Sequence, residues 1–456
     1  MNAGATSSVE LRAGPAPSDE RRHWIAAFAL ACLAVSGICV QILMWAAYTG
    51  DDVNTLAPVG RHSLLATIVY YIRPIEYWLV LAANQVWLPL WTIVSALVCV
   101  AAASIHLLTI ERLTGRQFAS ATRWAIVAGS PVWFYAISQV DTVSQSLCNL
   151  AFAGALHCLV RVLREPASDD SESWYVALNL SSSLLLFTKE LAIGAACVLP
   201  AIGLWQYVRH RRPRIGYAAS AVLYALCLAG WLALKIAYKS QMPEASGHYN
   251  LSPNLVDIAR NVVVSLAFGV TPVPSSLLSI ARLATLWTAC GSLAALVLLW
   301  ACSRLDWRTA TVKWFAFAML GACSPMFYVH SSELYASMIG TLLVGILVVG
   351  CRMSTRVSLL YGTALLACSY INAYLYYHGA DLAAAGVERK LYSVYYGPNG
   401  QSFPRQEGDL ACPVTRTAFV TFEDNALICH DASGAVLQSF RHRPLSAHPA
   451  AKQDGN

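Results

Sequence analysis

An acidic pair follows the first long apolar stretch of the chain. Asp51 and Asp52 lie in the segment YTGDDVNTLAPVGRHS, directly after that stretch ends. A carboxylate in this position can act as a general base or bind a metal ion, or it can simply begin a solvated loop. Adjacent side chains point in different directions, so we expect only one of the two to be the base.

Two basic residues stand beside acidic ones inside apolar sequence. In YYIRPIEYW, Arg73 lies three residues before Glu76. The two residues could form an ion pair on one helix, or the planar guanidinium of Arg73 could hold a phosphate. LLLFTKELAIG places Lys189 and Glu190 between two apolar runs, where charges are costly unless they are paired or face a polar cavity. A tight surface turn explains this pair structurally, and a phosphate-binding lysine beside a carboxylate explains it functionally.

A later segment, SPMFYVHSSELYASMIG, brings further polar groups to the start of an apolar run. His330 and Glu333 are three residues apart, and Glu333 and Ser337 are four apart, so one helical face can present all three. Tyr335 either joins them or belongs to an aromatic belt at a membrane surface. Arg260, in the segment 238–283, is a further basic candidate.

The composition indicates the environment of these residues. Of the 456 residues, 57% are hydrophobic and only 12% are charged, whereas soluble proteins carry about 25% charged residues. This excludes a soluble globular enzyme, a disordered chain and a collagen-like chain, and predicts an all-α multi-pass protein surrounded by membrane lipids. The net charge is +6, but the basic residues stand between apolar stretches rather than on one patch, so nucleic acid is not an expected partner.

About 20 apolar residues are needed to cross a bilayer, which gives roughly eleven candidate spans. Two further apolar segments, 62–83 and 255–270, contain charges, and we expect them to be helices at the membrane interface. The candidate spans are 24–48, 86–110, 122–138, 141–163, 174–188, 190–208, 215–237, 284–303, 310–328, 334–351 and 357–377.

The positive-inside rule predicts the orientation. With the N-terminus in the cytoplasm, the inner segments hold 17 of the 31 Lys and Arg residues, while the outer loops hold seven and the tail the other seven. Eleven spans then place the C-terminus outside. In this topology of a cell-membrane protein, all the candidate residues named above lie on the extracytoplasmic side.

The chain divides into three parts on this basis. Residues 1–23 read as a disordered cytoplasmic tail, 24–377 as the membrane domain and 378–456 as a small extracytoplasmic region. The segments AFVTF, ALICH and AVLQSF alternate apolar and polar residues, which suggests a small β-hairpin unit in the last part. Of the 14 cysteines, only Cys412 and Cys429 lie in this polar tail, and an extracytoplasmic location would allow them to form a disulfide.

The order of these elements resembles the GT-C superfamily of integral-membrane glycosyltransferases, which includes the protein mannosyltransferase and aminoarabinose-transferase families. The resemblance covers residues 24–377. It is carried by the acidic pair Asp51–Asp52, by the Lys-Glu turn in Thr188–Glu190 and by the HSSELY element at His330–Tyr335. Each motif is weak alone, and their order and shared side make the combination more specific.

The resemblance implies a polyprenyl-phosphate-sugar donor and an inverting transfer to an acceptor hydroxyl. Asp51 would accept the proton of the hydroxyl, and Asp52 would orient it or bind a divalent cation. Lys189 and Arg73, with Arg260, would neutralise the departing lipid phosphate. The resemblance does not fix a metal requirement, and the acceptor can be a lipid, a polysaccharide or a protein. The further substrate-binding residues would be Glu190, His330, Glu333 and Tyr335.

Three other interpretations remain. A transporter or flippase of lipid-linked sugars usually places its charges near the membrane midplane on broken helices in repeated halves, and no repeat is visible here. An O-antigen polymerase or ligase would be expected to carry a long outer loop with several arginines, whereas 238–283 contains only Arg260 and Arg282. A non-catalytic membrane subunit would leave the outer charges unexplained. The sequence also lacks a WWD element, which speaks against an oligosaccharyltransferase catalytic subunit.

Overall fold

The computed structural model describes the greater part of the apolar chain. The described residues are 17–45, 75, 90–129, 136–137, 143–165, 170–210, 215–239, 254–274, 284–328, 336–378, 419–423, 426–430 and 435–441.

Helices dominate these segments. A single turn of 3₁₀-helix, Glu190–Ala192, lies between α5 and α6. The α-helices are α1 Pro17–Trp45, α2 Leu90–Thr114, α3 Ser120–Ala128, α4 Val143–Arg164, α5 Ser171–Leu186, α6 Ile193–His210, α7 Ile215–Lys239, α8 Leu255–Val270, α9 Ala284–Ser303, α10 Ala310–Tyr328, α11 Gly340–Gly350 and α12 Thr355–His378.

Several of these helices have the length and composition of membrane spans. Thr92–Thr114, Val143–Arg164, Ile215–Ile236 and Thr355–Tyr374 are each long and apolar enough to cross a bilayer. Trp24–Val40, Thr288–Ser303 and Gly340–Gly350 are shorter apolar helices. The chain is therefore an integral membrane protein with a helical fold, as its composition predicts.

Each predicted span overlaps a helix, but their number of eleven is not confirmed. The third predicted span, 122–138, corresponds to α3, which has nine residues and ends at Ala128. Nine residues of helix extend only about 13 Å, less than half of the hydrocarbon thickness. The first helix begins at Pro17, inside the segment predicted as a disordered tail. Proline is favoured in the first helical turn.

Helix α8 occupies the segment 255–270 that was predicted to lie at the interface. Its first turn is exposed, with Leu255 and Val256 among the most accessible apolar residues. Its second half is buried through Val264, Ala267 and Phe268 and packs against α9, α10 and α11. The helix therefore enters the bundle at its C-terminal end, rather than lying along the surface throughout.

A buried ion pair joins α2 to α3. Arg123 Nε lies 3.0 Å from Glu111 Oε1, and the two side chains expose only 4% and 7% of their surface. The Phe118 backbone N–H donates to the same carboxylate oxygen at 2.7 Å. The Arg123 guanidinium also stacks on the Trp24 ring, 4.6 Å from its centroid. These contacts place the beginning of α1 beside the turn between α2 and α3.

The same end of the bundle collects several more arginines. Arg116 donates to the Val349 carbonyl at the end of α11, with 3.4 Å between the atoms. Arg164 at the end of α4 donates to the Arg112 carbonyl at the end of α2. Arg352 lies between α11 and α12. We call this region the arginine-rich end, and the other end of the helices the opposite end.

Three short strands lie near the C-terminus. They are β1 Phe419–Glu423, β2 Ala426–His430 and β3 Val436–Arg441, in a sheet of order β1-β2-β3. Both pairings are antiparallel, with Val420 opposite Cys429 and Ile428 opposite Ser439. The strands occupy the three segments whose alternation suggested β-structure.

We expect Cys412 and Cys429 to be disulfide-linked in the native protein. Cys412 lies outside the described residues, and Cys429 lies in β2. The physical reason is their shared location in a polar tail that the predicted topology places in an oxidising compartment. Alkylation of unreduced protein followed by peptide mass spectrometry measures this. Free thiols at both positions would contradict the pairing.

Candidate functional site

The Lys-Glu turn lies within the bundle rather than on an exposed loop. Helix α5 begins towards the arginine-rich end and ends at Leu186, about 24 Å further along its axis. Thr188 is fully buried and Lys189 exposes only 6% of its surface. The Lys189 carbonyl accepts a hydrogen bond from the Ala192 N–H at 3.0 Å, which closes the 3₁₀ turn. The structure thus disfavours the interpretation of Lys189 as part of a solvated surface turn.

Glycines fix this turn against α10. A Cβ added to Gly194 would lie 2.6 Å from the Gly321 carbonyl oxygen and 2.7 Å from Pro325 Cδ. A Cβ added to Gly321 would lie 2.8 Å from a methyl carbon of Val198. Small residues let membrane helices approach this closely. The segment that carries Lys189 is therefore held directly against the last two turns of α10, which ends two residues before His330.

We expect Gly194→Ala to lower the thermal stability of the purified protein. Its methyl group would meet backbone atoms, which cannot rotate away, and overpacking of this kind costs about 1–3 kcal/mol. Gly230→Ala is the matched control, because a Cβ at Gly230 would have no atom within 4 Å. Unfolding midpoints in the same detergent measure the difference. Equal midpoints for the two variants would contradict the close packing of α6 on α10.

A second non-helical segment lies inside the bundle, directly after the HSSELY element. Within the predicted span 334–351, Ala336 is helical, Ser337–Ile339 form a buried turn, and α11 begins at Gly340. The turn is closed by a hydrogen bond of 3.2 Å from the Ile339 N–H to the Ala336 carbonyl. Helix α11 has 11 residues and is about 16 Å long, so this turn lies well within the depth of the bundle.

Polar side chains of two neighbouring helices hold this turn. Asn149 on α4 donates its Nδ2 to Ser337 Oγ at 2.9 Å, and Gln145 donates to Asn149 Oδ1 at 2.8 Å. His106 on α2 donates its Nε2 to the Met338 carbonyl at 3.0 Å. Non-helical backbone within a membrane is tolerated where protein groups satisfy it in this way.

Gln145, Asn149 and His106 were not among the residues predicted to form the site. The signal was present, because amides and imidazoles are rare in membrane helices and mark functional regions. Ser337 directly follows the helical residue Ala336 and begins the turn before α11. His330 and Glu333, with which it was predicted to share a helical face, lie outside the described residues.

The structure describes two of the other candidates, Arg260 and Glu190. Arg260 is exposed on α8, next to the buried face that begins at Asn261, so it is not directed into the core of the bundle. For Glu190 the backbone is described, in the 3₁₀ turn. The remaining candidates lie outside the described residues, namely Asp51, Asp52, Arg73, His330, Glu333 and Tyr335.

Chain continuity nevertheless constrains where the acidic pair begins. Helix α1 starts beside Arg123 at the arginine-rich end and continues to Trp45, six residues before Asp51. Helix α10 likewise ends at Tyr328, two residues before His330, beside the segment that carries Lys189. The three motif segments thus follow helix ends that point away from the arginine-rich end. Within the described residues, no cluster of three His, Cys, Asp or Glu side chains is placed to hold a metal ion.

Comparison with known proteins gives one structural likeness. No family model matches the chain, and a search of curated proteins finds no match. Among solved structures, the crystal structure of ArnT from Cupriavidus metallidurans bound to undecaprenyl phosphate matches at 15% sequence identity and a TM-score of 0.47, over 84% of this chain and 74% of that one. ArnT is of the GT-C type that the motifs resemble. At this identity and TM-score, the likeness assigns no activity to this chain.

Proposed function

We propose that this protein is a membrane glycosyltransferase. It moves a sugar from a polyprenyl-phosphate donor to an acceptor hydroxyl at the extracytoplasmic face, with inversion at the anomeric carbon. The proposal is supported by one observation above all. Two breaks in the α-helical backbone, at 187–192 and 337–339, lie in the half of the bundle opposite the arginine-rich end, and each belongs to or closely follows a motif of the sequence. Thr188, Lys189 and the residues 337–339 are buried there.

The residue types of these segments suit a lipid-phosphate leaving group. A buried ammonium such as that of Lys189 interacts strongly with an anion, because there is little water to screen it. The donor phosphate would gain this countercharge as its bond to the sugar breaks. Asp51 accepts the proton of the attacking hydroxyl, and Asp52 orients that hydroxyl or holds a divalent cation. Arg73, Arg260, Glu190, His330, Glu333 and Tyr335 complete the proposed substrate contacts.

One observation favours a second candidate, a flippase of lipid-linked sugars. The turn at 337–339 interrupts the helical backbone within the bundle, and broken helices at such depth are typical of transporters. Both candidates use the same lipid phosphate chemistry. They differ in product, because only a transferase forms a new glycosidic bond.

The direct experiment compares surface glycans from cells with and without this protein. Intact mass measurement of lipid-linked, polysaccharide and protein glycans would show the loss of one sugar residue from one acceptor class. The purified protein, the polyprenyl-phosphate-sugar and the identified acceptor should then restore that residue. Accumulation of untransferred donor on one leaflet, with no acceptor able to receive sugar from the purified protein, would favour the flippase.

We expect labelling to place residues 1–23 in the cytoplasm and residues 379–456 outside. The reason is that α1 and α12 both begin at the arginine-rich end, and arginines collect on the cytoplasmic side of membrane proteins. Single cysteines introduced at both ends of a cysteine-free variant, with membrane-impermeant maleimide on intact cells, measure this. A cytoplasmic C-terminus would move the proposed site to the wrong side of the membrane.

A further inference from the structure

A pocket lies at the arginine-rich end, far from the segments that carry the proposed transferase site. It has a volume of about 220 Å³ and opens between the turn from α2 to α3 and the turn from α11 to α12. Its polar lining comes from Arg116, Gln117, Thr122, Arg352, Thr355 and Ser358. No acidic residue lines it, and nearby Glu111 is already paired with Arg123. The pocket is therefore strongly positive.

The backbone around Arg352 is built in an unusual way for this residue type. Met353 N–H donates to the Val348 carbonyl at 3.0 Å and Arg352 N–H donates to the Val349 carbonyl at 3.1 Å, which together end α11 in a Schellman motif. Arg352 occupies the left-handed position of that motif, with φ of 50°. Glycine is preferred there because a Cβ disfavours positive φ. An arginine at this position adds a guanidinium to the pocket at some cost to the backbone.

A buried hydroxyl in the pocket points independently to a ligand. Ser358 exposes 1% of its surface, and its Oγ has no hydrogen-bond partner in the structure. Leaving a buried hydroxyl unpaired is unfavourable, and an acceptor atom of a ligand would satisfy it. Ser358 lies one turn into α12, where the positive end of the helix dipole favours an anion. The N–H groups of Val357 and Ser358 already donate to Ser354.

We propose that this pocket is a binding site for a phosphate group on the side of the membrane that carries the arginine-rich end. Arg116 and Arg352 supply charge and forked donors, Ser358 and Thr122 supply hydroxyls, and the N-terminus of α12 adds the positive end of its dipole. The phosphate comes either from the headgroup of an anionic phospholipid or from free phosphate. Occupancy would link the α2–α3 turn to the α11–α12 turn, which Arg116 already bridges through Val349.

The test uses the full-length protein in a neutral detergent and measures its thermal unfolding. Three probes are added separately at matched ionic strength: inorganic phosphate, dihexanoyl-phosphatidylglycerol and dihexanoyl-phosphatidylcholine. We expect dose-dependent stabilisation by phosphatidylglycerol that exceeds that by phosphatidylcholine. Stabilisation by inorganic phosphate alone, without a larger effect of phosphatidylglycerol, would identify free phosphate as the source.

Arg352→Gly separates ligand binding from folding. Glycine relieves the positive φ, so the variant without anion should be at least as stable as the natural chain. Its apparent dissociation constant for the stabilising probe should rise about tenfold or more, as expected for the loss of one charge-assisted hydrogen bond. Ser358→Ala should weaken the response without destabilising the protein, because it removes an unpaired buried hydroxyl.

Arg356→Ala is the matched control. Arg356 is an exposed arginine on the same first turn of α12, but it does not line the pocket. It should therefore retain the response to anions. Absence of any anion-dependent stabilisation of the natural chain would overturn the proposal, as would an undiminished response in Arg352→Gly.

Discussion

Asp51→Asn is expected to abolish sugar transfer while the protein stays folded in the membrane. Asparagine keeps the size of the side chain but cannot accept a proton from the acceptor hydroxyl. Removal of a general base costs about 10²–10⁴-fold in rate, and the loss should fall on kcat rather than on donor binding. The measurement is transfer from a polyprenyl-phosphate-sugar by purified protein, with monodisperse elution as the folding check.

Two further variants define what the result means. If Asp52 only orients the hydroxyl, Asp52→Asn should lower the transfer rate less than Asp51→Asn does. If Asp52 holds a cation, the two variants should lower the rate equally, and added divalent metal should change the rate of the natural chain. Asp306→Asn is the control, because Asp306 lies at the arginine-rich end, where its Oδ1 accepts from the Arg308 N–H at 3.1 Å. Near-normal transfer by both the Asp51 and Asp52 variants would contradict the assigned base.

The helical architecture was readable from the sequence because the bilayer imposes a length on apolar runs. The candidate spans 284–303 and 310–328 coincide with α9 and α10 to the residue. The length of an apolar run predicts the length of a helix where the helix is uninterrupted, since every backbone group must then be paired within that helix. The length of the run does not predict a helix that stops early, as α3 does after nine residues at Ala128.

The buried turns were harder to predict because tertiary contacts create them. Residues 337–339 read as part of an apolar span, whereas in the structure they form a turn that Asn149 and His106 contact through the Ser337 hydroxyl and the Met338 carbonyl. Those partners lie on α4 and α2, about 190 and 230 residues away in the chain, where no local pattern can indicate the pairing. The Lys-Glu turn was recognisable because its charges are conspicuous between two apolar runs.

Arg352 illustrates a different limit of sequence analysis. From the sequence, Arg352 was predicted only to lie among the basic residues on the cytoplasmic side. In the structure it has a left-handed backbone conformation and lines a pocket with Arg116 and Ser358. Residue type alone would predict glycine or asparagine at such a helix end. A residue that departs from this preference is detectable only once the helix end is known from the structure.

Lys189→Ala is expected to lower kcat/KM for the lipid-linked donor by about 10²-fold, the scale seen when one preorganised electrostatic group is removed from an active site. The lost charge would otherwise neutralise the leaving phosphate. Because Lys189 is buried, alanine also leaves a cavity. Lys189→Met fills most of that space without the charge, so it separates the two effects.

The charge interpretation requires that Lys189→Met be as inactive as Lys189→Ala while unfolding at a higher temperature. Lys313→Ala is the control for removal of a lysine, because Lys313 is exposed near the start of α10, close to the other end of the bundle. Its kinetics should match those of the natural chain. If Lys189→Met were active and only Lys189→Ala were impaired, packing would account for the effect, and the phosphate would have to be neutralised by Arg73 or Arg260 instead.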